Sequence, residues 1–338
     1  MRAIVVREFG HYREKAHLEN LPNPVAGPGE VVVRNTATGI SFAASLNIAG
    51  KYQRKPPLPF IPSPETAGVV HEIGEGVTRV QVGDAVMISG DGGGCAGYNL
   101  VQDICCHKIP HSIDPAVAAA LVLSYTTSYG ALTRRASLQA GETLLVHGAA
   151  GAVGMAAVEI GKAMGATVIA VAGGEAHCLS ARRHGADFVI DHRKEDFRDK
   201  VLEITEGRGA NVVYDSIGGD VTLASLRCMA WEGRLLTIGY ASGTIPDIPA
   251  NRLLLKNISA MGFNIGHFFG WTPGTKREDF IDDLDDMIRG VLDLYDKGAL
   301  NPEIGKRYSL EQFHEAMDAV IDRKVDGKCV VILGEDDY

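Results

Sequence analysis

The strongest constraint in this chain is a rhythm that occupies residues 123–263. Short apolar runs of strand length alternate there with amphipathic stretches of helix length. The runs fall at 142–147, 167–172, 188–190, 211–215, 234–238 and 258–263, with helices expected over 153–164, 176–184, 200–205 and 223–229. Continuous apolar strands are buried on both faces, and strands joined through helices run parallel. The expected fold class is α/β, with a doubly wound parallel sheet.

The flanking regions follow other patterns. Strands are expected at 3–6, 30–34, 67–73 and 84–88, separated by turns at Pro24, Gly27, Pro28, Gly29, Gly74, Gly76 and Gly83, and this predicts a compact all-β unit. The run 90–97 reads as a loop. Near the C-terminus Phe280, Ile281, Leu284, Met287, Ile288, Val291, Leu292 and Tyr295 recur at helical spacing. Asp282, Asp283, Asp285 and Asp286 lie between them and are expected to form the solvated face. A last strand is expected at 327–333. A chain of 338 residues accommodates about two domains, and there is no internal repeat or low-complexity linker.

Composition excludes some functions. The 33 Lys and Arg against 42 Asp and Glu leave a net charge of −9, which disfavours nucleic-acid binding through a basic face. Six cysteines form no CxxC pair and are expected to be mostly buried thiols in a reducing compartment. No apolar run approaches a membrane span and no signal-peptide pattern opens the chain, so a cytoplasmic protein without membrane association is expected. No Gly-x-Ser-x-Gly elbow occurs at a strand–helix junction, so no serine nucleophile is suggested. The 40 glycines exceed the usual share of about 7%, and their placement is informative.

The first cluster joins the first strand of the parallel sheet to its helix, in Leu144-Leu145-Val146-His147-Gly148-Ala149-Ala150-Gly151-Ala152-Val153-Gly154. A dinucleotide pyrophosphate sits at such a junction, where glycine admits phosphate and the helix N-terminus supplies free N–H groups. Ala150, Gly151, Ala152 and Val153 are the expected contacts. Ala149 stands where the GxGxxG template has its first glycine. The fourth strand ends in Tyr214-Asp215-Ser216-Ile217-Gly218-Gly219, across the expected switch point, which adds Ser216 and Ile217. Gly239 follows the fifth strand, and Phe263 and Ile265 follow the last.

The second strand decides between the two nicotinamide dinucleotides. NAD calls for an acid at its end, whereas a 2′-phosphate needs space and positive charge. Here the strand ends Ala172-Gly173-Gly174, with His177, Arg182, Arg183, His192 and Arg193 nearby. Glu175 argues the other way. NADP(H) is the expected cofactor, with Gly173, Gly174, His177, Arg182 and His192 in its site.

In this order the motifs resemble the medium-chain dehydrogenase/reductase superfamily, and within it the zinc-independent quinone oxidoreductase, or zeta-crystallin-like, branch. The resemblance spans essentially the whole chain. It is carried by Pro59-Phe60-Ile61-Pro62-Ser63-Pro64-Glu65-Thr66-Ala67-Gly68-Val69-Val70, by Ile73–Val77 and Val82–Val86, by Ala149–Gly154 and Tyr214–Gly219, and by Gly327-Lys328-Cys329-Val330-Val331. It implies a GroES-like β-barrel catalytic domain from 1–122 and 264–338 around a Rossmann NADP-binding domain at 123–263. It also implies a homodimer paired through the 258–263 strand.

Zinc-dependent members of the superfamily carry Cys, His and Cys where this chain has Ser41, Pro64 and Leu123. Neither proline nor leucine can bind zinc, so no metal site is expected. Without a metal to polarise an alcohol, the resemblance implies hydride transfer from NADPH to a quinone or an α,β-unsaturated carbonyl. Tyr52 matches a tyrosine of the substrate cleft in quinone oxidoreductases. Ser41 stands where those relatives commonly have Asn, Ala44 where they often have Asp, and Thr127 matches a position near the nicotinamide. Tyr125 and the segment 264–271, with His267, Phe268 and Phe269, are further lining candidates. An enoyl-thioester reductase of acyl-CoA type, and a non-catalytic NADPH-binding or sensing protein, remain as alternatives.

Overall fold

The computed structural model describes all residues from Met1 to Tyr338. The chain forms two compact units, Met1–Leu123 with Gly266–Asp286 and Pro302–Tyr338, and Ser124–Ile265 with Met287–Asn301.

The second unit holds the parallel sheet. Its six strands lie in the order Phe188–Asp191, Thr167–Ala172, Thr143–His147, Ala210–Asp215, Met229–Thr237 and Ser259–Gly262, and all neighbouring pairs are parallel. In chain order this is 3-2-1-4-5-6, so the connection reverses direction between the first and fourth strands. Leu144, Leu145, Val146, Val168, Ile169, Val213 and Leu235 are fully buried, as expected for strands covered on both sides. Met287–Asn301 belongs here because Gly290 lies against the Tyr129 ring and Gly130 against Met287 and Phe263.

The first unit carries the GroES-like sheet. Its central strand, Glu30–Ile40, pairs antiparallel with Lys328–Ile332, Glu65–Ile73 and Tyr98–Gln102. Ile304–Tyr308, Ala85–Ser89 and Cys106–Lys108 extend the sheet, and Arg2–Val6 with Ala16–Asn20 makes a separate hairpin. Val31, Val33, Val70, Val86 and Ile88 form one core cluster of this unit. Residues 90–97 are a loop, and three backbone bonds tie it to the preceding segment, from Gly93, Gly94 and Cys95 to the carbonyls of Ile61, Ser63 and Pro62.

Several expectations need correction. The helix expected over 223–229 runs over Asp220–Ser225, and Met229 already opens the fifth strand. That strand kinks at Glu232, whose φ is +57°, and the kink hides its N-terminal half from a pattern search. Helices at Phe42–Ile48 and Phe313–Ile321 and the helical run Pro115–Arg135 have no counterpart in the pattern reading. Pro115–Arg135 is long and apolar enough to cross a membrane, but 78% of that window is buried in the protein, as in a core helix. Five cysteines are buried and Cys178 is half-exposed, all of them free thiols.

Asp285 also departs from the solvated face predicted for the acidic run. It accepts two 2.8 Å bonds from Arg79 and lies 3.2 Å from His107 Nδ1. His107 Nε2 in turn meets Ser89 Oγ at 2.9 Å, and Arg277 donates to the same oxygen. This Ser–His–Asp string has the connectivity of a nucleophile triad. Ser89 is only 1% exposed, however, and a serine sealed beneath a buried arginine cannot reach a substrate. The string acts as a polar tie within the first unit.

Buried histidines make stability depend on pH. Burial pushes the His107 imidazole down against the pull of Asp285, and it pushes His147, packed between Ser225 and Phe197, down to about 4. The unfolded chain takes up these protons near the ordinary value of 6.5 while the folded chain does not. The stability they contribute is therefore complete above that value and is lost as pH falls towards 4. Melting temperature measured by circular dichroism is expected to fall by about 5–10 °C between pH 7 and pH 4.5. A flat profile over that range would overturn this.

Candidate active site

The site is built first from the turn after Thr143–His147. Gly148 adopts φ +64°, and a Cβ there would meet Ser216 Oγ at 2.9 Å and Ile217 Cδ1 at 3.0 Å. The tight-turn glycine thus sits one residue before the template position, and Ala149 in that slot is no defect. Gly154 has no room for a side chain, since a Cβ would lie 2.2 Å from the Gly148 carbonyl oxygen. Gly151 caps the helix Ala152–Ala163 with extended backbone and no side-chain bond. The first-turn N–H groups of Ala152 and Val153 therefore face outward without an intrahelical acceptor. Such a terminus attracts an anion.

Three strand ends converge on this turn. Asp215 Oδ1 accepts the N–H groups of Ile217 and Gly218, and its Oδ2 bonds Thr222. Ser216 Oγ donates to the His147 carbonyl at 3.2 Å. The chain beyond Gly239 returns to the same place, with the Ala241 and Ser242 N–H groups on the Ser216 and Ile217 carbonyls. Ser128 Oγ contacts both Val153 O and Tyr214 Oη at 2.8 Å, which sets the helix Thr126–Gly130, and with it buried Thr127, beside the start of the nucleotide helix. Phe263 follows the last strand with its ring at Gly130, and buried Ile265 opens the next helix. Tyr125 lies elsewhere, donating to buried Glu159 at 2.8 Å.

The end of the second strand sorts the basic candidates. A Cβ on Gly173 would meet His192 Nε2 at 2.5 Å and Arg193 Nε at 3.1 Å, and one on Gly174 would meet Arg193 Nη1 at 3.1 Å. Asp191 Oδ1 fastens this arrangement by accepting from the Gly174 and Arg193 N–H groups, each at 3.0 Å. Those two bonds hold the carboxyl below its ordinary value. His192 and Arg193, both exposed, are thus the cations packed on the glycine turn. His177 and Arg182 lie along the helix Glu175–Arg183, with Arg182 exposed in its last turn. Glu175 points to solvent.

The first unit contains a pocket lined by Tyr52, Phe60, Ile61, Pro64, Arg54 and Trp271, among others. Ala44 and Asn47 line it from the helix Phe42–Ile48. Ser41 is the N-cap of that helix, and its hydroxyl makes no capping bond. Burial raises the Tyr52 phenol, and the charge of Glu65 raises it further, so it stays protonated and able to donate. Glu65 is fully buried and paired with Lys328. Sequence reasoning missed Arg54 and Asp91 here because no local pattern marks them. Gly148 was detectable, since a strand entering a helix through so short a turn needs a positive φ.

Residues 27–145 match the alcohol dehydrogenase GroES-like domain family, and residues 152–286 the zinc-binding dehydrogenase family. A quinone oxidoreductase-like protein 2 homolog of Nematostella vectensis is 40% identical over 336 residues, 98% of this chain and 88% of the relative. This chain belongs to the quinone oxidoreductase branch of the medium-chain dehydrogenase/reductase superfamily. Its fold matches that of Pseudomonas syringae quinone oxidoreductase with a TM-score of 0.89, at 29% identity, covering 98% of this chain and 99% of the other. The Escherichia coli quinone oxidoreductase, solved as a complex with NADPH, matches at 0.88 and 27% identity, over 98% and 100% of the two chains.

One family name implies zinc, and the residues do not fit it. Pro64 and Leu123 carry no donor atom, Ser41 offers only a hydroxyl, and no three His, Cys, Asp or Glu side chains converge as a metal-binding group.

Proposed function

We propose that this branch member is an NADPH-dependent oxidoreductase that passes a hydride to a quinone or an α,β-unsaturated carbonyl without zinc. The observation that carries the reading is the Gly173–Gly174 turn with His192 and Arg193 packed on it. A 2′-phosphate needs that space and that charge, and NAD needs neither. Bound NADPH supplies the hydride. The Ala152 and Val153 N–H groups hold the pyrophosphate, while Ser216, Ile217, Gly239 and Thr127 form the surrounding wall.

The acceptor occupies the Tyr52 pocket. Its apolar walls exclude water, which strengthens each remaining electrostatic contact. Tyr52 Oη–H donates a hydrogen bond to the acceptor oxygen as negative charge grows there. Ser41 does not line this pocket; it caps the helix that contributes Ala44 and Asn47 to the lining, and its hydroxyl, free of any capping bond, is the second candidate donor. The protein works as a cytoplasmic homodimer, with the edge strand Ser259–Gly262 pairing between subunits. That edge is largely exposed, and Leu254 and Leu255 next to it are 77% and 64% exposed. Light scattering is expected to return twice the 36.1 kDa chain mass, and a single-chain mass would refute the dimer.

The deciding assay follows NADPH oxidation against quinones, alkenals and enoyl thioesters, before and after dialysis against a chelator. Turnover of a quinone or enone that survives the chelator is expected, with kcat falling about 10–100-fold in Tyr52→Phe. Turnover of enoyl thioesters alone would favour the carrier-thioester reductase. Tight NADPH binding with no acceptor reduced would make this a binding protein, and zinc-linked activity would remove the metal-free part of the reading.

A further inference from the structure

The mouth of the Tyr52 pocket carries a charge that the reduction of a neutral quinone does not use. Arg54 lines the pocket and lies 5.7 Å above the Trp271 ring. Its Nη2 donates to Asp91 Oδ2 at 3.0 Å, and Trp271 Nε1 donates to Asp91 Oδ1 at 2.6 Å. Asp91 therefore bridges the two side chains and tethers the guanidinium beside the Trp271 ring. Only that one nitrogen is engaged, and Nε and Nη1 meet no protein acceptor. The side chain is 34% exposed, so those donors can meet a ligand.

The residues flanking Arg54 in the chain add positive charge. Lys51 and Lys55 flank Arg54 in Lys51-Tyr52-Gln53-Arg54-Lys55, both exposed and without an ion-pair partner. Residues 56–64 carry no charge, Glu65 is committed to Lys328, and Asp91 is the single acid on the pocket lining. In a chain of net charge −9 this rim is a local reversal of sign. Apolar, aromatic walls ending in a preorganised guanidinium suit a conjugated molecule with an anionic end.

We propose that Arg54 sets the substrate class, selecting acceptors that carry an anionic group at the pocket mouth: a carboxylate, or the phosphates of a carrier thioester. Asp91 and Trp271 are positioning residues that hold the guanidinium with Nε and Nη1 presented to that group. This rests on the reading of the pocket as the acceptor site.

The test compares a neutral aryl enone with its ring-carboxylated analogue, and crotonyl-CoA with crotonyl-pantetheine, which lacks the CoA phosphates. Wild type is expected to favour the anionic member of at least one pair at least tenfold in kcat/KM. That preference should collapse about tenfold or more in Arg54→Gln and be partly restored in Arg54→Lys, which keeps the charge without the fork. The carboxylate pair and the thioester pair report separately which anion is meant. Binding is read independently of turnover by fluorescence in a Trp231→Phe background, which leaves Trp271 as the sole tryptophan. Anionic ligands should change its emission with an affinity that weakens in salt and in Arg54→Gln. Equal handling of both members of each pair, or a preference that Arg54→Gln leaves within twofold, would overturn the proposal while the oxidoreductase reading stands. If no acceptor is reduced the oxidoreductase reading falls, and the fluorescence titration still decides whether Arg54 binds anions.

Discussion

Replacing His192 and Arg193 together by Ser and Gln is expected to lower the ratio of kcat/KM for NADPH over NADH by about 10–100-fold. The size follows from losing two charge-assisted hydrogen bonds, each worth about 1.5–3 kcal/mol when intact, discounted because both side chains are exposed and partly screened by solvent. On the proposed reading both side chains serve one phosphate, so the single variants should each show only part of the loss. Asp191→Ala should act in the same direction without touching the ligand, because it frees the Gly174 and Arg193 N–H groups that hold the turn together. Steady-state kinetics with both nucleotides checks this. A ratio unchanged in the double variant would move the phosphate contact to His177 or Arg182.

The second large effect is expected at Gly154. A Cβ there would lie 2.2 Å from the Gly148 carbonyl oxygen, which is backbone and cannot swing aside. Gly154→Val must push the helix away from the strand and open the turn that presents the Ala152 and Val153 N–H groups. Overpacking of this kind costs about 3 kcal/mol, which corresponds to a melting temperature lower by about 6–12 °C for a unit of this size. NADPH affinity should fall at least about tenfold in the same variant. Gly76→Ala is the control. Its φ of +82° is strained for alanine, but nothing lies within 4 Å, so a loss of about 1 kcal/mol with unchanged nucleotide binding is expected. Equal losses in the two variants would show that close packing at Gly154 is not the cause.

The contrast between these two glycines separates what the sequence determined from what it left open. The order of strands and helices from 142 to 263 was legible because periodicity is local, and burial on both faces forces an unbroken apolar run. The switch point between the first and fourth strands followed from that order, and with it the place where a dinucleotide binds. The glycine clusters at 148–154 and 216–219 marked themselves, since each must admit backbone or phosphate where no side chain fits.

What the tertiary structure alone decided is convergence. Of five basic residues near the second strand, the sequence reading placed His177, Arg182 and His192 in the cofactor site; the fold packs His192 and Arg193 on the Gly173–Gly174 turn, where the Asp191 bonds tie two strand ends together. Asp285 read as one of four solvated acids until Arg79 and His107, about 200 positions away in the chain, proved to be its partners. Arg54 and Asp91 carry no motif, and Trp271, at the end of the expected lining segment 264–271, gave no sign of its partner, because nothing in a local pattern records which distant side chain a loop will meet. Sequence periodicity specifies which face of an element is buried. Which charged groups meet at the surface depends on how loops are tied down, and here that is settled by the bonds from 93–95 to 61–63 and the Trp271 bond to Asp91.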